Sequence, residues 1–243
     1  VPRMLGDKAG SLLRSWCESK GVTVHTSARV KAIESSTQEL QVILDNEETC
    51  PADVVIVSTG VKPRVAYLGE SGITVDEGIV IDEHMQTSAP DVYAAGDCAQ
   101  GLDFSTGQKA VHAVQPTATE HGRVAAANMA GENNSPYKGS LNMNVLDTLG
   151  LVTCSFGAWE GVEGGDSAEM YNPDNYQYIN LQFKDDVLVG ANSVGYHSHL
   201  GVLRGLIETQ IPLGSWKERL KDSPISLADA YVGVNQVALQ KRS

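Results

Sequence analysis

The stretch Thr87-Ser-Ala-Pro-Asp-Val-Tyr-Ala-Ala-Gly-Asp97 constrains the fold more than any other part of the 243-residue chain. A short apolar run, Val92 to Ala95, reads as a strand that ends in a Gly-Asp turn. Gly96 lets the backbone bend sharply and approach a ligand closely. Asp97 then projects a carboxylate from the carboxyl edge of the strand, where open α/β sheets bind their ligands. An ionised carboxylate only accepts hydrogen bonds, which suits the hydroxyls of a polyol or a ribose. A plain strand with a Gly-Asp turn would carry the same residues, so the neighbouring segments decide.

Upstream, Asp53-Val-Val-Ile-Val-Ser-Thr-Gly-Val-Lys-Pro-Arg64 is apolar without alternation. That is the pattern of a parallel strand buried on both faces. Downstream, Val111 to Gly131 reads as a helix with legible ends. Pro116 suits the first turn, where its missing N–H costs nothing. Gly131 suits the C-terminal cap, and Ala118, Ala125, Ala126 and Ala127 permit close packing. The N-terminus of such a helix favours electron-rich oxygens. Near the start, Leu5 to Lys20 reads as a helix with Leu12, Leu13 and Trp16 on one face. Gly21 to His25 reads as a strand. Ala28 to Glu34 and Glu39 to Leu44 read as a hairpin through Ser35-Ser-Thr-Gln38.

These segments, in this order, resemble the FAD- and NAD(P)H-dependent pyridine nucleotide-disulfide oxidoreductases, flavoproteins with two dinucleotide-binding domains. The resemblance implies that Asp97, after Gly96, holds a ribityl hydroxyl of FAD. It implies that the backbone of Thr117 and Ala118, following Pro116, faces the flavin pyrimidine ring and stabilises negative charge there. It also implies that Gly60 lies where the chain crosses from the NAD(P)H domain to the FAD domain and a cofactor passes close to the backbone. No residue is implied as a catalytic acid or base, and none as a metal ligand. The implied cofactors are FAD and NAD(P)H, and the implied partner is an electron-acceptor protein or a small-molecule acceptor. Homo-oligomer formation is left open.

The chain holds no Gly-x-Gly-x-x-Gly, whereas the family carries two, one for each pyrophosphate. The expectation is that both precede Val1. The chain then reads as the later part of a larger flavoprotein, holding neither cofactor tightly by itself and inactive alone. Its 42% hydrophobic content suffices for a core, and no apolar run approaches membrane-spanning length. A formal charge of −12 argues against nucleic-acid or anionic-membrane partners. Cys17, Cys50, Cys98 and Cys154 have no C-x-x-C or metal spacing. Dispersed cysteines suit a reducing, cytoplasmic setting. His197-Ser-His199 reads as a surface pair and Asp185-Asp186 as a hairpin turn.

After the polar stretch Asn133-Asn-Ser-Pro136 the pattern changes. Asn142–Leu146, Gly150–Gly157, Ser167–Tyr171, Tyr176–Phe183 and Val187–Val194 read as strands, and Leu200–Thr209 as a helix. A second short helix begins near Ser215. Here the chain resembles the C-terminal domain of NADH:rubredoxin reductases and nitrite reductase large subunits.

The expected fold class is therefore α/β. Residues 1–61 would be the second half of an NAD(P)H-binding domain and residues 62–135 the second FAD-binding segment, both Rossmann-like and three-layered. Residues 136–243 would be an α+β C-terminal domain. The implied function is that of an FAD-dependent NAD(P)H oxidoreductase. The alternatives are an NADH oxidase or CoA-disulfide reductase type, or a non-catalytic flavoprotein-like interaction module.

Overall fold

The computed structural model describes residues 2–35, 39–131, 136–196, 198 and 200–240. The expected hairpin turn at Ser36–Gln38, the boundary residues Asn133–Ser135, and His197 and His199 lie outside the described residues. By compactness the chain forms two units, Cys17–Lys62 and Val1–Trp16 with Pro63–Ser243.

In the Cys17–Lys62 unit, β1 (Val30–Ser35), β2 (Leu40–Leu44) and β3 (Thr49–Ala52) form an antiparallel sheet in that order. Ile33 pairs with Val42, and Val42 with Cys50. Pro51 sits on the edge strand β3, where a missing donor is tolerated. Two expected strands do not form here. Val22–His25 and Val54–Thr59 are irregular, and no described strand pairs with either. A parallel strand gains its ladder only from neighbours on its flanks. Without them Val54, Ile56, Val57 and Val61 stand exposed, Ile56 at 86%.

The larger unit holds α1 (Pro2–Ser19) up to Trp16, with a kink at Gly6, where φ is 66°. It also holds a small sheet of β4 (Ile79–Val80), β5 (Ala99–Leu102) and β6 (Lys109–Ala110). β4 and β5 are parallel, and β5 and β6 antiparallel. The expected strand at Val92–Ala95 is reduced to one bridge, Tyr93 to Gln86. α2 (Gln115–Met129) carries Pro116 in its first turn and ends at Ala130, with Gly131 just beyond at φ 86°. Val124 and Ala125 on α2 pack with Ile79, Ile81, Met85, Ala94 and Ala99.

A five-stranded antiparallel sheet follows, built from β7 (Met143–Thr148), β8 (Leu151–Gly157), β9 (Asp166–Asn172), β10 (Gln177–Lys184) and β11 (Val187–Val194). Its order is β7-β8-β11-β10-β9. Asp185 takes φ 52° in the β10–β11 turn, and Asp186 accepts the Gly214 N–H at 3.0 Å. Asp tolerates the left-handed region better than most residues. α3 (Leu200–Thr209), α4 (Ser215–Asp222) and α5 (Leu227–Gln240) complete the chain. Ile179, Leu181 and Phe183 alternate along β10 and share one core with Leu206, Leu220 and Ala230 of these helices. The intervening residues Tyr178, Asn180 and Gln182 line a cleft with Leu5, Lys8 and Trp159. α1 is anchored there: Asn192 Nδ2 donates to the Leu5 carbonyl, Lys8 pairs with Glu169, and the Trp16 indole donates to the Thr148 carbonyl. No helix among the described residues is long and apolar enough to cross a membrane.

Candidate functional site

Ala95 is extended, and Gly96 turns the chain at φ 77° into a single 3-10 turn, Gly96–Cys98. That turn runs straight into β5. The Asp97 side chain is exposed and makes no hydrogen bond to another described residue. Gly96 rests on α2, and a Cβ built on it would meet the Ala118 Cβ at 3.4 Å. The turn and the first turn of α2 therefore pack closely, with only the Ala118 methyl between them.

The N-terminus of α2 is prepared by its own loop. Val114 is extended, its N–H donates to the His112 carbonyl at 2.9 Å, and its carbonyl accepts from Ala118 at 3.1 Å. Thr117 precedes the first residue bonded back into the helix, so its N–H has no intrahelical acceptor. Its side chain is buried. The structure thus brings Gly96, Asp97, Pro116, Thr117 and Ala118 together. Gly60 belongs to the Cys17–Lys62 unit, where it is exposed at φ 105°.

An exposed carboxylate beside a helix N-terminus fits a ligand with both hydroxyls and electron-rich oxygens. FAD has both. The fit rests on this geometry of acceptors and donors.

Two polar arrays behind the turn were not legible in sequence. Asp103 accepts from His112 at 2.9 Å, and from the Ser105 and Thr106 N–H groups at 2.7 and 3.1 Å. Burial alone would push the Asp103 carboxyl up. The His112 hydrogen bond and charge and the two N–H groups outweigh it and hold the carboxyl below its ordinary value. On α2, His121 is buried with Nε2 3.3 Å from the Ser140 hydroxyl. Tyr137 stands edge-on to its ring at 5.0 Å, and the Tyr137 hydroxyl reaches Glu120 at 3.2 Å. Arg204 joins Glu120 to Glu208, tying α2 to α3. Burial first, then the Glu120 and Glu208 charges, push Tyr137 up to about 12 against the Ser140 hydrogen bond. Asp103 and His112 stand nine positions apart with β6 between them, and no spacing rule pairs such residues in advance.

A family model described as pyridine nucleotide-disulphide oxidoreductase matches residues 1–122. The chain is 32% identical over 221 residues to the epsilon subunit of NADH-dependent phenylglyoxylate dehydrogenase from Aromatoleum evansii, covering 90% of this chain and 52% of that one. It is 27% identical over 210 residues to nitrite reductase [NAD(P)H] from Bacillus subtilis, covering 86% of this chain and 25% of that one. Among solved structures, the NAD-dependent persulfide reductase from A. fulgidus superimposes with a TM-score of 0.76 at 27% identity, over 88% of this chain and 43% of that one. The chain spans about half, or less, of the length of these relatives. The fold class is the expected one, an α/β flavoprotein reductase fold represented by part of its length.

Proposed function

The chain belongs to the pyridine nucleotide-disulphide oxidoreductase family, and on that premise we propose that it is the later part of an FAD-dependent NAD(P)H oxidoreductase. The observation that carries the reading is the contact of the Gly96–Asp97 turn with the first turn of α2. Asp97 accepts a hydrogen bond from a hydroxyl of the cofactor's polyol chain. Gly96 keeps the approach clear. The Thr117 N–H and the positive end of α2 hold the electron-rich edge of the ring system. Gly60 serves where chain and cofactor cross. When bound, FAD supplies hydride acceptance from NAD(P)H and onward transfer of electrons to an acceptor. This chain's residues supply orientation and electrostatics, and none of them acts as an acid or base.

The division into residues 1–61, 62–135 and 136–243 belongs to the same proposal, with the last part as the α+β C-terminal domain. The names of the phenylglyoxylate dehydrogenase subunit and the nitrite reductase support NAD(P)H as the electron donor. The test is anaerobic titration of the whole protein with NADH. The expected result is a yellow protein whose flavin absorbance bleaches stoichiometrically. A colourless protein, or a flavin that NADH leaves oxidised, would overturn the reading in favour of a non-catalytic interaction module.

A further inference from the structure

We propose that His25, Glu48 and Cys50 form a site for a divalent transition-metal ion of the zinc type. One donor atom from each lies within 4.8 Å of the other two. His25 Nδ1 is 3.3 Å from Glu48 Oε2, and His25 Nε2 is 3.9 Å from Cys50 Sγ. Ligands at about 2.0–2.3 Å around a tetrahedral zinc ion stand roughly 3.3–3.8 Å apart. A small rotation of side chains therefore converts the cluster to a coordination sphere. A neutral imidazole has one free lone pair, so the ion sits on one ring nitrogen. Nε2 faces the thiol, and the Glu48 carboxylate, on three rotatable bonds, is the donor that swings in.

The backbone already fixes two of the three donors. Glu48 and Cys50 are two residues apart at the entry to β3, so both project from one face. The ladder holds Cys50 opposite Val42 and Thr49 opposite Ile43. The β2–β3 turn is tied by Leu44 N–H to the Glu48 carbonyl at 2.9 Å and by Glu48 N–H to Asn46 Oδ1 at 3.1 Å. Arg29 and Asp45 lock the turn to β1 through 3.1 and 2.9 Å bonds. Asn46 Nδ2 approaches Glu48 Oε2 at 3.4 Å, the kind of outer partner that orients a ligating carboxylate. His25 comes from the irregular segment before β1, so the ion would tether that segment to β3.

The donor set selects the metal. Thiolate and imidazole favour zinc and cobalt, whereas magnesium and calcium prefer all-oxygen sites. Cys50 is a free thiol and partly accessible. On ligation its S–H bond breaks, the proton passes to solvent and a sulfur–metal bond forms with no change of oxidation state. Affinity therefore rises with pH. With three protein donors, water completes the sphere.

Cobalt(II) titration of the reduced, metal-free chain tests the site, because a cobalt–thiolate bond has a near-ultraviolet charge-transfer band. The expected result is one ion per chain, with that band present and displaced by zinc. Cys50→Ser should abolish the band, and His25→Ala and Glu48→Gln should each weaken binding by about tenfold or more. All three side chains are at least partly exposed, and circular dichroism checks that the variants fold. Absence of the band in the wild type, or an equal band in Cys50→Ser arising from another thiol, would overturn the proposal.

Discussion

A Cβ on Gly96 would stand 3.4 Å from the Cβ of Ala118. The Gly-Asp turn and the α2 N-terminus are thereby held as one surface, on which Asp97 is the exposed acceptor.

Asp97→Ala in the whole protein should lower FAD affinity by about tenfold or more, since a charge-assisted hydrogen bond is worth roughly 1.5–3 kcal/mol. Flavin-fluorescence titration checks it. An unchanged dissociation constant would remove Asp97 from the site.

The chain taken alone should not bind FAD stoichiometrically, because it has no glycine-rich pyrophosphate turn. It should also self-associate through the exposed run at Val54, Ile56 and Val57. Calorimetric titration with FAD and sedimentation read the two outcomes. Ile56→Lys with Val57→Lys should shift the sedimentation toward monomer. Micromolar FAD binding by a monomer would contradict both halves.

His121 makes stability fall in acid. Burial holds its imidazole below the ordinary 6.5, His112 adds to the lowering, and Glu120 pulls the other way. The unfolded chain therefore takes up the proton first as pH drops. The stability tied to neutral His121 is complete above 6.5 and is lost as pH falls from there through the folded value. Asp103 behaves alike in a separate window, with its contribution complete above 3.8 and lost further into acid. Denaturant unfolding at a series of pH values should show a slope just below pH 6.5 that His121→Gln flattens. An identical slope in the variant would exclude His121 as its source.

Gly190→Ala should destabilise the sheet by about 1–3 kcal/mol. The added Cβ would lie 2.3 Å from the Ala158 carbonyl carbon and 2.5 Å from the Trp159 nitrogen. β11 would have to part from that segment, straining the Ala158 N–H bond to the Val189 carbonyl. A lower denaturation midpoint at constant m-value is the expected signature, and an unmoved midpoint would refute it.

Elements that carry their own partners could be read from sequence. β10 alternates, its turn is Asp185-Asp186, and its neighbour β11 follows at once, so the hairpin is local information. α3 spans the expected Leu200–Thr209. The runs at Val54 and Val92 have the composition of buried strands, but strand state depends on neighbours that composition does not reveal. α5 is not legible in the sequence because Val232-Gly-Val234 has weak helix propensity, although Leu227, Ala230 and Val234 repeat at helical spacing and are buried. The Gly-Asp turn and Pro116 were legible as local backbone chemistry. The His25–Glu48–Cys50 cluster was not, since two of its members are 25 residues apart and meet only through the sheet.

The anchoring of α1 bears on how the chain is made. Asn192, which holds the Leu5 carbonyl, is synthesised 187 residues after it. At roughly 5–20 residues per second, a ribosome needs about 10–40 s to cover that distance. Through that interval Leu5, Ala9, Leu12 and Leu13, all buried in the finished molecule, have no β11 to receive them. The apolar face of the nascent helix therefore stays uncovered until the sheet emerges.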